Sequence, residues 1–166
     1  MPFHNQRTEG GSQQSVEESS DAMIDQQYRD TADYRYDLIP PPVTLGLLYY
    51  DIKSHKFAEG LLRYMAGKPS LMLEDLADLL GVRVLDLAHL YAQALHDEAV
   101  KHGGLNWERG LPESNLLNHA LYHLFKLVGG DNSENHQTLL TWNVMTLTHQ
   151  RAKNRKKETT NHDSQS

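Results

Sequence analysis

The chain has 166 residues, the length of one domain with some tail, and only 39% of them are hydrophobic, with a mean hydropathy of −0.63. It contains no cysteine, which excludes disulfides and cysteine-ligated zinc and suits a reducing cytoplasm. The formal charge of −6 argues against a general nucleic-acid binder, whose affinity comes largely from neutralising phosphates, and is compatible with binding a metal cation.

The N-terminal MPFHNQRTEGGSQQ lacks the apolar stretch of a signal peptide, and no apolar run reaches the roughly 18 residues of a membrane span. Residues 1–33 set seven acids against two bases and carry almost no large aliphatics, so they are expected to be a disordered acidic tail. The segment RYDLIPPP, residues 35–42, reads as an extended entry because its three prolines fix the backbone.

A first helix is expected over 43–67, stopped by Gly67 and Pro69. A second, LMLEDLADLL, has Ser70 as candidate N-cap and Gly81 as its stop. The third follows as VRVLDLAHLYAQALHDEAVKHGG, with Val84, Leu87, Ala88, Tyr91 and Leu95 on its apolar face. ESNLLNHALYHLFKLV follows Pro112 as a fourth and ends at Gly129-Gly130. The fifth, SENHQTLLTWNVMTLTHQ, begins at Ser133, with Ser133 or Asp131 as its cap. Residues 153–166 are expected to be a disordered basic tail. No stretch alternates at period two. The expected fold is therefore all-α, a compact bundle of about five helices over residues 34–152 with disordered tails at both ends.

Several polar side chains fall on faces that should be apolar. The stripe of the third helix continues from Tyr91 and Leu95 into Glu98 and then Lys101 or His102. In the fifth helix His136 and Asn143 share a face with Leu140 and Leu147. In the fourth, His119 and His123 flank the core face of Leu116, Ala120, Leu124 and Leu127 at a spacing that lets two imidazoles reach one ion. A histidine near an apolar face is often just a hydrogen-bonded core residue, and Asp131 and Glu134 beside a helix start are explained by capping alone. The convergence of three helix ends is what points to a polar site, since buried charge is costly unless paired or metal-bound.

RYDLIPPP (35–42), KHGGLNWERGLP (101–112), HALYHL (119–124) and GGDNSENH with TWN (129–143) together resemble the phage and bacterial dATP/dGTP diphosphohydrolase N-terminal domains, MazZ-like relatives of the MazG nucleotide pyrophosphohydrolases. The resemblance covers 35–42 and 87–149, and the 43–86 segment reads as an extra helical hairpin. The departures are His102 where the family has tyrosine, Tyr122 in place of an arginine, and Leu139 in place of a second histidine.

The resemblance implies hydrolysis of a purine deoxynucleoside triphosphate, dATP or dGTP, to monophosphate and pyrophosphate, with Mg²⁺ or Mn²⁺ neutralising the triphosphate and activating water. Under it, Glu98, Asp131, Glu134 and His123 are the metal candidates, with Asp97 behind them. Glu98, Lys101 and His136 are the catalytic candidates. Arg35, Lys101, Asn106, Trp107, Arg109 and Asn143 are the substrate contacts, with Trp107 stacking on the base or serving as a core anchor. Such bundles work as homo-oligomers, which the few aliphatics per helix also favour.

Two other readings remain. SLMLEDLADLLGVRVLDLAHL has the spacing of a helix-turn-helix, which would make the protein a DNA-binding module, although Arg83, Asp86 and His89 form a poor face for phosphate. The motif departures would equally suit a catalytically inactive scaffold.

Overall fold

The computed structural model describes residues 34–102 and 110–165, and among these there are six α-helices, one 3-10 turn and no strand. In chain order they are the 3-10 turn Tyr36–Leu38, then α1 (Pro41–Leu47), α2 (Ile52–Met65), α3 (Met72–Leu80), α4 (Asp86–His102), α5 (Glu113–Val128) and α6 (His136–Gln165). The all-α bundle expected from periodicity is the observed class. Residues 1–33 lie outside the described residues.

The expected first helix is broken into α1 and α2. Asp51 leaves the helical region and its carboxylate accepts from the backbone N–H of Ser54 at 3.1 Å, so it caps a new helix. At the other end, Pro41 and Pro42 belong to α1 instead of preceding it. The first helical N–H groups have no intrahelical acceptor, so proline loses nothing there.

Beyond the break, α2 turns Phe57, Ala58 and Leu61 inward, and α3 meets them with Met72, Leu76, Ala77 and Leu80. Ser70 joins the two. Its hydroxyl donates to the Gly60 carbonyl at 2.6 Å and accepts from the Met72 N–H at 3.0 Å, but the cap position itself is taken by Leu71, one residue after the expected Ser70. A Cβ on Gly60 would stand 3.0 Å from that hydroxyl, so the absent side chain is what lets the hairpin close.

The core face of α4 differs from expectation. Leu87 and Ala94 are buried, with Leu90, Tyr91, Leu95 and Glu98 half-buried beside them, whereas Val84 and Ala88 are exposed. Asp86 accepts from both the backbone N–H and the guanidinium of Arg83, and the charged turn so formed leaves Val84 outside the helix. The same pair occupies the one arginine that a DNA-reading face there would offer.

The centre of the bundle is the pairing of α5 with α6, which buries Leu116, Ala120, Leu121 and Leu124 against Leu140, Trp142, Val144 and Leu147. The two run antiparallel. Glu113 at the start of α5 accepts from Asn154 (2.7 Å) and pairs with Arg151 (3.1 Å) late in α6, while His123 meets His136 at the other end. Arg151 also donates to the carbonyls of Tyr64 and Met65 at the end of α2 and stacks on the Tyr64 ring at 4.9 Å. One guanidinium thereby joins three helices. α4 attaches to α6 through the Tyr91 hydroxyl and Thr146 Oγ1, 3.1 Å apart.

The RYDL segment is tied to α5 by Asn118. Its Oδ1 accepts from the N–H groups of Tyr36 (2.5 Å) and Asp37 (3.3 Å), and its Nδ2 donates to the Tyr34 carbonyl (3.0 Å). The basic run after Arg151 leaves the body as expected, but as a continuation of α6 to Gln165, exposed from Arg155 to Thr160. Lys, Arg and Glu are strong helix formers, and a helix already nucleated extends through them readily.

Truncating Asn118 leaves three backbone groups without their partner in a part-buried seam. Asn118→Ala is expected to lower the unfolding free energy by about 2–4 kcal/mol, read from urea denaturation. A loss under about 0.5 kcal/mol would show that this side chain does not hold the segment.

Candidate metal centre

The site is built at the turn between α5 and α6. Helix α5 ends with Gly130 at φ +78°, where the Gly130 N–H reaches the Leu127 carbonyl (3.1 Å) and the Asp131 N–H reaches that of Lys126 (3.0 Å). These are the paired bonds of a glycine-dependent helix stop. The stop fixes Asp131 in space. Its Oδ2 accepts from Ser133 Oγ at 2.5 Å and lies 2.5 Å from His136 Nε2. Helix α6 is then capped by Asn135, whose Oδ1 accepts from the Thr138 N–H at 3.2 Å. The cap is thus neither Ser133 nor Asp131. Asp131 is engaged with the imidazole instead.

His136 is the first residue of α6 and is only 2% exposed. Its Nδ1 faces the Nδ1 of His123 at 2.9 Å, and His123 is equally buried on the last two turns of α5. Tyr122 forms one wall, its ring 4.9 Å from that of His123 and 5.6 Å from Tyr36. Ligand atoms of His123, Glu134 and His136 all lie within 4.8 Å of one another, the one such group of three among the described residues.

The protons can be assigned in the metal-free state. Asp131 is held well below the usual carboxylate range, at about 2, first by the Ser133 hydroxyl and then by His136, so at neutral pH it only accepts. His136 Nε2 must therefore carry the hydrogen it donates. In a neutral His136 the Nδ1 is then a lone pair, and His123 Nδ1–H donates to it. Burial, with His136 and His119 adding repulsion, pushes His123 down to about 3; burial alone takes His119, one turn earlier on α5, to about 4. Both are neutral at physiological pH. Neutral imidazoles are the form that ligates metal or accepts a proton.

Of the residues expected from sequence, His123, Glu134 and His136 share one centre, with Asp131 behind His136. Glu98 is half-buried two turns beyond Tyr91 on α4 and is not a donor of that group; Asp97 is exposed. The Arg35 guanidinium lies 2.8 Å from each carboxylate oxygen of Asp37, so it is spent within its own segment. Asn143 is buried two turns along α6 from His136. Its Nδ2 donates to the Leu139 carbonyl, and its Oδ1 has no partner among the described residues. The side chains of Lys101 and His102, and all of Asn106, Trp107 and Arg109, lie outside the described residues. His119, expected to reach the same ion as His123, is buried one turn earlier on α5 and is not a donor of that group. Tyr122 supplies an aromatic wall beside His123 and no charge.

The depressed histidines predict an acid-labile fold. Their folded pKa values lie below the ordinary 6.5, so the unfolded state takes up more protons, and stability is complete above pH 6.5 and lost as pH falls toward 4 and 3. With chelator present, unfolding free energy should drop by roughly 3–4 kcal/mol between pH 7.5 and 5. A flat profile would mean that these imidazoles are not held neutral.

Compared with protein-family models, with curated proteins and with solved structures, the chain finds no match.

Proposed function

We propose that this protein hydrolyses purine deoxynucleoside triphosphates, dATP or dGTP, to monophosphate and pyrophosphate with the help of a divalent ion. The observation that carries the reading is the meeting of His123, Glu134 and His136 at the α5–α6 turn. HALYHL and GGDNSENH, two motifs through which the chain resembles the diphosphohydrolases, contribute to one centre. The donors fit an ion in part. Glu134 offers the oxygen that Mg²⁺ or Mn²⁺ takes, and the two imidazoles suit Mn²⁺ better than Mg²⁺. An ion held there would neutralise triphosphate charge and lower the pKa of a bound water.

The chain's own groups have definite parts. Asp131 holds His136 in the tautomer that leaves Nδ1 a lone pair, and burial keeps His123 neutral, the form in which an imidazole ligates metal. Asn143 Oδ1 is a buried acceptor left over for a donor such as a purine amino group. Arg35 has no part in binding phosphate in this reading, because Asp37 already pairs with it. Lys101, Asn106, Trp107 and Arg109 keep the substrate roles that the resemblance implies, and Glu98 that of a further carboxylate from α4.

The reading includes self-association in a reducing cytoplasm. Val43, Leu47, Tyr49, Tyr50 and Ile52 are exposed along one short stretch of α1 and the α1–α2 corner, more apolar surface than scattered exposure explains. Among the described residues, no helix is long and apolar enough to cross a membrane.

Pyrophosphate release should appear with dATP or dGTP plus Mn²⁺ or Mg²⁺, vanish with chelator, and fall at least about 100-fold in Glu134→Gln and His136→Asn proteins that retain helical circular dichroism. No release from any nucleotide with either ion would retire the enzyme and leave the inactive-scaffold and DNA-binding readings, which a salt-dependent DNA titration separates. Light scattering at micromolar concentration should give a mass above that of one chain, and a monomer would sink the self-association.

A further inference from the structure

The two facing imidazoles carry a more specific consequence. A separation of 2.9 Å between two Nδ1 atoms, both buried, admits two occupancies. Either one proton lies between them, or both lone pairs point at one ion. Two nitrogens each about 2.1 Å from an ion stand about 3.0 Å apart at a right angle and about 3.4 Å apart at the tetrahedral angle, so a small opening of the pair lets both reach one ion. We propose that His123 Nδ1, His136 Nδ1 and the Glu134 carboxylate form a site for a borderline transition-metal ion of the Zn²⁺, Co²⁺ or Mn²⁺ class, selective against Mg²⁺, with Asp131 as its positioning residue. The inference rests on the same centre as the hydrolase reading and not on its substrate.

The chemistry of the donors sets the selectivity. Mg²⁺ requires oxygen ligands and sheds water reluctantly, whereas imidazole nitrogen suits the later first-row ions. Two of the three donors are imidazole nitrogens in a nearly dry helix interface. Loading requires that the proton between the rings leave Nδ1 of His123. It does so by transfer to the ring's own Nε2 through solvent, so the neutral imidazole changes tautomer and no net charge is lost. His136 needs no such change. Its hydrogen is already on Nε2, donated to Asp131, which is the carboxylate–histidine arrangement that orients metal-binding imidazoles and raises their basicity. Ser133 holds that carboxylate from its other side. Glu134 is only half-buried, which gives an ion a route in from solvent.

The full chain, stripped with chelator and titrated with Co²⁺ at pH 7.5, tests this. The expected result is one equivalent bound with visible d–d absorption bands, displaced by Zn²⁺ and unaffected by millimolar Mg²⁺. Melting temperature should rise on loading. Glu134→Gln and His136→Asn should lose the bands. Asp131→Asn should weaken Co²⁺ about 10–100-fold in protein that keeps its helical circular dichroism, and Asp131→Glu should recover part of the affinity. Should His136→Asn fail to fold, Glu134→Gln on the partly exposed side chain decides alone. The proposal is overturned by absence of Co²⁺ and Zn²⁺ binding below millimolar, by binding that survives Glu134→Gln, or by displacement of Co²⁺ at equal Mg²⁺ concentration. Tight Co²⁺ binding at these residues without nucleotide turnover would support it while retiring the hydrolase. Turnover with Mg²⁺ alone and no Co²⁺ site would do the reverse.

Discussion

Two imidazole nitrogens held 2.9 Å apart inside a helix interface impose the constraint around which this bundle is arranged. Their rings cannot both be charged, and they cannot both present lone pairs without something between them. The chain answers with an ordered series: Asp131 takes the Nε2 hydrogen of His136, His136 takes that of His123, and burial keeps His123 neutral. Such a series works only if α5 and α6 are held in one register. The leucines of the α5–α6 seam supply area, but area alone tolerates sliding. Polar contacts at each end remove that freedom.

At the far end of the seam the register is set by Arg151 with Glu113 and by Asn154 with the same carboxylate. A guanidinium that also meets two carbonyls at the end of α2 is favoured there, because those carbonyls carry the negative end of the helix dipole. At the near end, a glycine in the left-handed region stops α5 and delivers Asp131 to His136. The centre thus sits where the backbone is most tightly determined, although it lies beside a loop. Between the two ends, the hydroxyls of Thr141 and Thr148 bond back to their own helix, so α6 can bury polar side chains with few external partners.

The resemblance in RYDLIPPP takes on a structural meaning in this light. Arginine and aspartate two residues apart form a bidentate pair on one short turn, tyrosine enters the aromatic cluster with Tyr122 and Phe125, and the backbone is fastened to Asn118. A motif that looked like a phosphate contact closes the open side of α5 near His123. Tyr36 and Tyr122 together wall the face of His123.

Much of the fold was legible along the chain. Period, prolines and glycines located α3, α5 and the stops at Gly67, Gly81 and Gly130, because those signals act through local backbone conformation. The inward placement of His123, His136 and Asn143 was legible for the same reason: each shares a helical face with leucines. The break at Asp51, the rotation of the α4 face and the helical course of the basic segment were not. Each depends on whether a side chain caps, pairs or extends in competition with its neighbours, a balance that local pattern does not resolve. Only the tertiary structure decided that Asp131 serves His136 instead of capping α6 and that two histidines thirteen residues apart meet nitrogen to nitrogen. Those are contacts made across a turn and an interface, at distances set by how α5 packs on α6, and no spacing along a single helix encodes them.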